Sequence, residues 1–404
     1  MAVAADLQPD ERRDERARRL LAAAAGQQAR ATAFLQALAN LETPSDEPAT
    51  QRPALDMIAS AMQELGMTCR RFRGRNSGGT LIARWPAPSG TPIQLLVGHC
   101  DTVWPLGTLE TMPVRIEGSL MHGPGVFDMK AGITQMIFAL DLLRQLGLEP
   151  SVRPVILINS DEEIGTHDTH GTLRRLAALA DRAFVLEPSL APDGRLKTAR
   201  KGVAQYRVTV HGKAAHAGLN PEEGISAILE MSHLVQRLHA LNDPASDVTV
   251  NVGTIAGGTR PNVVASVSTA YVDVRVPTGA DGRRIDAALR GMRATREGVR
   301  LEIEGTEGRP PMEYTAAGRR LWTAASRIAT SMEFELDHGR AGGGSDGNIT
   351  SQFTPTLDGL GAVGDGAHSA HEHVDLRHMP RRTALLAGLL LEPALGDGDG
   401  VDGV

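Results

Sequence analysis

The chain has 404 residues, which is too long for one ordinary hydrophobic core and favours two domains. Hydrophobic residues make up 41% of it and aromatic residues only 3%, a composition typical of a soluble globular protein with an aliphatic core. With a net charge of -6 and no stripe of Lys and Arg, the sequence gives no electrostatic case for binding nucleic acid.

The first half of the chain is predicted to alternate helices with apolar strands. Its helices are expected at 10–40, 53–65, 129–146 and 171–180, and its strands at 68–73, 79–85, 92–99, 154–160 and 182–188. Apolar strands separated by helices are typical of a largely parallel or mixed α/β sheet that is covered on both faces.

The pattern changes after about residue 199. Alternating apolar and polar residues predict strands at 203–212, 248–257, 266–276 and 299–305, with helices at 222–241 and 281–294. This β-α-β-β-α-β order predicts a ferredoxin-like domain at 199–310, inserted into a larger domain formed by 1–198 and 311–395. The Gly- and Asp-rich tail, 396–404, is expected to be disordered.

The cysteines and the amino-terminal segment bear on location. Cys69 and Cys100 are too few for a disulfide framework or a thiolate metal site, and they favour a reducing compartment. Residues 1–28 lack the basic and apolar segments of a secretory signal. No apolar run approaches the roughly 18 residues of a membrane span. We therefore expect a cytoplasmic protein without a membrane partner.

Five short stretches place His, Asp or Glu at strand ends or in loops. They are GHCDT at 98–102, GPGVFDMKAG at 123–132, SDEEIG at 160–165, LEP at 186–188 and GAHSAHE at 366–372. Oxygen and imidazole donors without thiolates suit zinc, with cobalt or manganese as substitutes. Together these stretches predict a two-metal hydrolytic site.

Each candidate also has an ordinary structural alternative. Residues two apart on a strand share a face, so Asp101 can orient a metal-bound His99, but a neighbouring turn can equally satisfy that histidine. Asp128 follows a glycine-rich turn, where its carboxylate can bridge two metals or simply cap a helix. Glu162 and Glu163 can divide proton transfer and metal binding between them, or form a solvated acidic loop.

At these motifs the sequence resembles the di-zinc metallopeptidase family that contains glutamate carboxypeptidase, aminoacylase, acetylornithine deacetylase and succinyl-diaminopimelate desuccinylase. The resemblance covers roughly residues 50–390. It implies two zinc ions per subunit, the first held by His99, Asp128 and Glu187 and the second by Asp128, Glu163 and His368. It also implies that Glu162 is the general base, that Asp101 orients His99, and that the inserted domain is a lid that mediates dimerisation.

In the loop around His368, the sequence HSAHE departs from the family's usual HSPNE-like form. This places His371 and His373 beside His368 as alternative ligands. We assign His368, because its spacing to Glu372 fits the His-Ser-x-x-Glu pattern.

The resemblance also implies residues that recognise the substrate, and it is strongest to the bacterial glutamate carboxypeptidases. His216 in KAAHAG matches a lid residue that reaches across the dimer to polarise the scissile carbonyl of the other subunit. Asn262, Arg275 and Arg309 fall where those enzymes bind a carboxylate. Ser345 lies in a glycine-rich loop like the one beside the family's active site. By its strand position Arg275 is equally suited to a salt bridge with Asp273.

These features predict a zinc-dependent, homodimeric hydrolase that cleaves a small amide or short peptide and releases an amino acid with a free carboxylate. Glutamate or aspartate is the favoured product. One alternative is an N-acyl-amino-acid deacylase on the same site, whose acyl pocket would set its specificity. The other is a dimeric scaffold without catalysis, which the adjacent Glu162 and Glu163 disfavour.

Overall fold

A computed structural model describes residues 9–190 and 192–396, and its contacts divide the chain into two compact units. The first unit comprises the chain up to Thr198, Tyr314–Arg340, and the chain from Ser345 onwards. The second comprises Ala199–Glu313 and Ala341–Gly344. Apart from Gly396, the tail expected to be disordered lies outside the described residues.

The secondary structure of the described chain is as follows. The helices are α1 (Pro9–Ala39), α2 (Arg52–Glu64), α3 (Ala131–Gln145), α4 (His170–Ala177), α5 (Ala227–His239), α6 (Gly279–Arg290), α7 (Ala316–Ser331), α8 (Asp346–Thr350) and α9 (Met379–Leu390). The strands are β1 (Thr68–Phe72), β2 (Thr80–Arg84), β3 (Ile93–His99), β4 (Arg115–Glu117), β5 (Leu120–His122), β6 (Arg153–Asn159), β7 (Ala180–Val185), β8 (Leu196–Arg200), β9 (Gly202–His211), β10 (Thr249–Gly257), β11 (Val267–Val276), β12 (Arg300–Arg309), β13 (His338–Ala341), β14 (Thr356–Leu357), β15 (Gly364–Asp365) and β16 (His373–Asp375).

The first unit is built on a six-stranded mixed sheet in the order β1-β2-β6-β3-β7-β14. Strand β3 lies between β6 and β7 and runs parallel to both, whereas β2 is antiparallel to β6. The central strands are almost wholly buried, as the apolar runs in the sequence predict. Because β3, β6 and β7 are parallel, the residues that follow them leave the sheet at the same edge.

Helix α3 shows how closely the helices approach this sheet. Twelve of its residues are buried, and Gly132 lies directly against the carbonyl of Leu186. A Cβ atom at Gly132 would be only 1.9 Å from that oxygen, so the contact requires glycine. The beginning of α3 is thereby packed against the segment that follows β7.

The second unit is an antiparallel sheet in the order β10-β11-β9-β12, with α5 between β9 and β10 and α6 between β11 and β12. Ser226 caps α5 and Thr278 caps α6 through their side chains. Inward-facing residues alternate with outward-facing ones along β9 and β11, which places Val272, Val274 and Val276 in the core. The predicted mixed α/β fold with a ferredoxin-like insertion is confirmed.

Several features were not predicted from the sequence. A small four-stranded sheet has the order β15-β16-β5-β4, and α7 packs against α1 and α9. Strands of two or three residues are too short to show a periodicity. Among residues 9–190 and 192–396, no helix combines the length and the apolar character needed to cross a bilayer.

Candidate metal centre

Several of the predicted ligands lie at the ends of three neighbouring strands, at one edge of the first unit's sheet. His99 ends β3, Glu162 and Glu163 follow β6, and Glu187 follows β7. Asp128 joins them from an irregular turn, Val126–Lys130, that precedes α3. Parallel pairing therefore converts positions far apart in the sequence into a single cluster.

The first half of the cluster surrounds His99. Its Nε2 atom lies 3.2 Å from Asp128 Oδ1 and 3.4 Å from Glu187 Oε1. Its Nδ1 atom donates to the main-chain carbonyl of Asp101 at 3.0 Å. In a neutral imidazole this leaves a lone pair on Nε2, the nitrogen that faces the two carboxylates, as a metal ligand requires.

The second half surrounds His368, which lies in the loop between β15 and β16. Its Nε2 atom is 3.2 Å from Glu163 Oε2 and 3.6 Å from Asp128 Oδ2. The two oxygens of Asp128 thus face different histidines, the arrangement needed for a carboxylate that bridges two ions. His371 contacts Ser369, and His373 contacts the carbonyl of His371. The structure therefore places His368, of these three histidines, against the carboxylates.

The charges of the cluster favour a cation. Burial lowers the pKa of His99, but the carboxylates of Asp101, Asp128 and Glu187 raise this pKa well above its ordinary value. Burial also raises the pKa of Glu163, and the hydrogen bond to Glu163 raises the pKa of His368 to about 9. Glu163 Oε1 is buried and has no hydrogen-bond partner within the described protein. An oxygen of this kind, among carboxylates and imidazoles, fits a divalent metal ion.

Asp101 holds the acidic loop as well as the histidine. Its carboxylate accepts from the main-chain N–H groups of Glu162 at 3.3 Å and Glu163 at 3.2 Å, and from the hydroxyl of Ser45 at 2.8 Å. Its Oδ1 lies 3.5 Å from His99 Nδ1, farther than its own main-chain carbonyl. The predicted orientation of His99 by the Asp101 carboxylate stays a prediction, because the carbonyl makes the shorter contact.

Glu162 lies within this cluster. Donor atoms of His99, Glu162 and Glu187 all fall within 4.8 Å of one another, as do those of His99, Asp128 and Glu163. Glu162 is 7% exposed, so it is shielded from bulk water and lies beside the imidazole of His99 and the carboxylate of Glu187. This is the position that a general base beside a metal centre must occupy.

In the second unit, His216 and Asn262 lie side by side on exposed backbone. His216 bridges to Val263, and the N–H of Ala217 donates to the carbonyl of Asn262 at 3.0 Å. His216 Nδ1 accepts from the N–H groups of Gly218 and Leu219 at 3.1 and 3.0 Å. The proton of a neutral His216 is therefore on Nε2, which makes that atom a hydrogen-bond donor.

Arg275 makes the salt bridge that its strand position permits. Its guanidinium donates to both oxygens of Asp273, at 2.8 and 3.0 Å, and its side chain is 32% exposed. Arg309 ends β12 opposite Val203 of β9. Arg200 donates to the carbonyls of Gly343 and Gly344, and Lys201 contacts Asp247.

Ser345 is fully buried at the start of α8. Its hydroxyl donates to Asp358 at 2.7 Å and accepts from the N–H of Gly347, so it caps this helix. A contact with a substrate carboxylate would require these bonds to break, and this role stays a prediction. The nearby Asp346 accepts from Asn159 and Thr166, which links the beginning of α8 to the two residues that flank the acidic loop.

Sequence reasoning missed two residues that hold the site together. Ser45 supports Asp101, and the Thr-Pro-Ser sequence before α2 gave no sign of it beyond a break in the helix. Glu372 accepts from the backbone around Asp128, but in the sequence it served only to identify His368. The His-Ser-x-x-Glu spacing was the one signal that marked it.

Comparisons with known proteins identify the family. A family model for peptidase family M20/M25/M40 matches residues 95–392. Carboxypeptidase G2 of Pseudomonas sp. (strain RS-16) is 30% identical over 387 residues, covering 93% of this chain and 92% of that protein. Succinyl-diaminopimelate desuccinylase of Maricaulis maris is 26% identical over 363 residues, covering 83% and 90%.

The fold is shared with solved structures. The YxeP protein of Bacillus subtilis, a dinuclear metal-binding peptidase, matches with a TM-score of 0.69 and 16% identity. The match covers 91% of this chain and 98% of that one. At this level of identity the likeness concerns the fold.

Proposed function

The chain belongs to peptidase family M20/M25/M40 and is a hydrolase of amide bonds, and we propose that it is a zinc-dependent carboxypeptidase that releases a C-terminal glutamate or aspartate. The observation that carries the proposal is Asp128, whose two oxygens face His99 and His368 while Glu162 lies in the same cluster. The full-length similarity to carboxypeptidase G2 supports the direction of cleavage.

The metal centre would use the residues already brought together. His99 and Glu187 would hold one zinc ion, Glu163 and His368 the other, and Asp128 both. Bound zinc would polarise the scissile carbonyl and lower the pKa of water. The donor set contains only imidazole and carboxylate groups, which suits a catalytic rather than a purely structural zinc site.

Glu162 would move the proton. Its carboxylate would take a proton from the attacking water and later give it to the leaving nitrogen. The nitrogen would then leave as a neutral amine and not as an anion. The N–H of Glu162 is held by Asp101. That bond limits how far the carboxylate can drift from the ligands, which supports a positioned base.

Recognition and oxyanion binding would come from the second unit, acting as a lid in a homodimer. Exposed His216 has its proton on Nε2, which suits donation to a developing oxyanion in the partner's site. Arg275 is paired with Asp273, and an Arg with two parallel N–H donors fits a substrate carboxylate equally well. Asn262, Arg309 and Ser345 are further candidates. The cytoplasmic location stays a prediction.

A panel of amide substrates tests the proposal. We expect zinc-loaded protein to release glutamate or aspartate from N-acyl-glutamate, N-acyl-aspartate and short peptides that end in these residues. N-acyl-leucine should be a poorer substrate by at least about tenfold in kcat/KM, because it lacks the second carboxylate. Peptides with an amidated C terminus are the control and should not be cleaved.

The similarity to succinyl-diaminopimelate desuccinylase favours a second candidate function, an N-acyl-amino-acid deacylase. The same panel separates the two. If kcat/KM followed the acyl group and ignored the released amino acid, the deacylase would replace the carboxypeptidase. If no amide were cleaved with zinc, cobalt or manganese present, both would be wrong.

A further inference from the structure

We propose that Glu372 is a positioning residue for the metal centre. Its buried carboxylate links two segments, the turn that contains Asp128 and the loop that contains His368. The inference rests on the two-metal centre proposed above. It concerns how that centre keeps its shape, and Glu372 itself is not assigned as a ligand.

The carboxylate of Glu372 accepts four hydrogen bonds. Oε2 accepts from the indole Nε1 of Trp104 at 2.8 Å and from the N–H of Gly125 at 2.9 Å. Oε1 accepts from the N–H groups of Phe127 at 2.9 Å and Asp128 at 3.1 Å. Glu372 is 1% exposed, so these donors replace the water that a carboxylate would otherwise bind.

The turn needs such an acceptor because of its backbone. Gly125 has a φ of 70°, and the following turn, Val126–Lys130, contains non-helical residues before α3 begins. The N–H groups at the beginning of this segment have no carbonyls four residues earlier in a helix to bind. The two oxygens of Glu372 accept from the N–H groups of Gly125, Phe127 and Asp128, which fixes the relative orientation of these groups.

Glu372 and His368 belong to the same short loop and reach the same residue. His368 Nε2 lies 3.6 Å from Asp128 Oδ2, while Glu372 Oε1 binds the main-chain N–H of Asp128. The loop is itself closed, since the N–H of Glu372 donates to the carbonyl of Ser369 and the carbonyl of Glu372 accepts from Gly123. One loop therefore holds Asp128 by its side chain and by its backbone.

This contact has a consequence for metal binding. Asp128 is the residue that both ions would share, so a shift of its backbone changes both sites together. In E372Q the amide group has one acceptor oxygen in place of two, and its NH₂ faces N–H donors. Two of the four hydrogen bonds to residue 372 are then lost, at least one of them from the turn, and the turn that contains Asp128 is held less firmly against the loop that contains His368.

The experiment is a metal titration of the full chain, with Co²⁺ as the probe and its visible absorption as the readout. We expect E372Q to bind Co²⁺ about 10–100-fold more weakly than the wild type, the usual effect of removing a group that orients ligands. The matched control is E230Q. Glu230 is also fully buried and accepts from the N–H and hydroxyl of Thr295, but it lies in the second unit.

Thermal unfolding of the same proteins with chelator present distinguishes positioning from general stability. The inference holds if E372Q loses Co²⁺ affinity while E230Q keeps it, even where the two variants lose similar stability. It is wrong if E372Q binds Co²⁺ as tightly as the wild type, or if E230Q weakens binding as much as E372Q does. Failure of wild-type protein to bind Co²⁺ would instead overturn the proposed function.

W104F is the milder variant, should E372Q fail to fold. It removes the indole donor alone and leaves the three main-chain bonds in place. We expect a loss of Co²⁺ affinity smaller than tenfold but measurable, and a changed Co²⁺ absorption spectrum. An unchanged affinity together with an unchanged spectrum would contradict the inference.

Discussion

The two units of this protein hold their candidate functional residues in opposite ways. In the first, imidazoles and carboxylates converge at strand ends, and Glu163 keeps a buried oxygen without a hydrogen-bond partner in the described protein. In the second, Arg275 is paired with Asp273, and His216 Nδ1 accepts from two backbone amides. In the first unit, the excess of carboxylates would be neutralised by a bound cation. In the second unit, the charge of Arg275 is already neutralised by Asp273, and His216 Nδ1 already has hydrogen-bond donors.

The difference indicates that the two units have different roles in catalysis. A cluster in which carboxylates outnumber imidazoles is expected to bind metal tightly and to stay rigid. A partly exposed ion pair such as Arg275 and Asp273 contributes little to the free energy of folding. Arg275 can therefore leave Asp273 and bind a substrate carboxylate at a small cost in free energy. We therefore expect substitutions in the first unit to affect turnover and metal binding, and those in the second to affect substrate affinity and oxyanion binding.

The largest effect is expected at the base. E162Q should lower kcat by about a hundred- to ten-thousand-fold, because proton transfer loses its acceptor. Its metal content should equal that of the wild type, measured by elemental analysis. E163Q is the matched neighbour and should lose metal as well as activity. Full activity of metal-loaded E162Q would remove Glu162 from the mechanism.

The next effect tests whether the second unit acts on the partner's site. H216A should lower kcat by about a hundredfold, since it removes one oxyanion donor. Refolding H216A together with E162Q should restore part of the activity, because a mixed dimer has one site with both residues intact. If the mixture stayed as inactive as its components, His216 would not act across subunits.

A smaller effect is expected at Arg275. R275A should raise KM for glutamyl substrates about ten- to a hundredfold with little change in kcat, as for a lost hydrogen bond to a charged group. D273N is the control that removes the internal partner and keeps the arginine. Equal KM values for R275A and the wild type would leave Arg275 as a structural ion pair.

The smallest effect concerns stability and pH in the second unit. Burial opposes ionisation of Asp286, but hydrogen bonds from Arg290 and Tyr206 lower its pKa below the ordinary 3.8. A lowered pKa in the folded state contributes stability above pH 3.8, and this contribution is lost as the pH falls through the folded value.

D286N should therefore destabilise the protein by about 0.2–1 kcal/mol at neutral pH, the scale of a partly exposed pair. Urea unfolding at several pH values measures this difference. The gap between D286N and the wild type should close as the pH falls below the folded pKa. A gap that stayed constant with pH would show that the lost bonds, rather than the charge of Asp286, are responsible.

The sequence was informative where chemistry repeats at strand ends. His99 ends an apolar strand, and Glu163 and Glu187 each come soon after one, so their convergence is explained by parallel pairing. It was uninformative where a contact depends on chain segments far apart. Glu372 lies 247 residues from Gly125, and no local pattern predicts that its carboxylate binds that backbone.

Ser345 illustrates the same limit within a motif. The glycine-rich sequence around it is typical of a loop that approaches a ligand, yet its hydroxyl caps α8 and contacts Asp358. Hydrogen bonds decided the orientation of this side chain, since its hydroxyl donates to Asp358 and also accepts from the N–H of Gly347 in α8. The motif around Ser345 therefore marked a glycine-rich loop but did not determine which of its side chains are hydrogen-bonded within the protein.

The central claim is that Asp128 is shared by two metal ions, and metal binding to D128N tests it most directly. We predict that the wild type binds two Zn²⁺ per chain, that D128N weakens both sites, and that E187Q weakens only one. Equilibrium dialysis with elemental analysis measures all three. A wild type that binds a single ion, or a D128N protein that still binds two at wild-type affinity, would contradict the account.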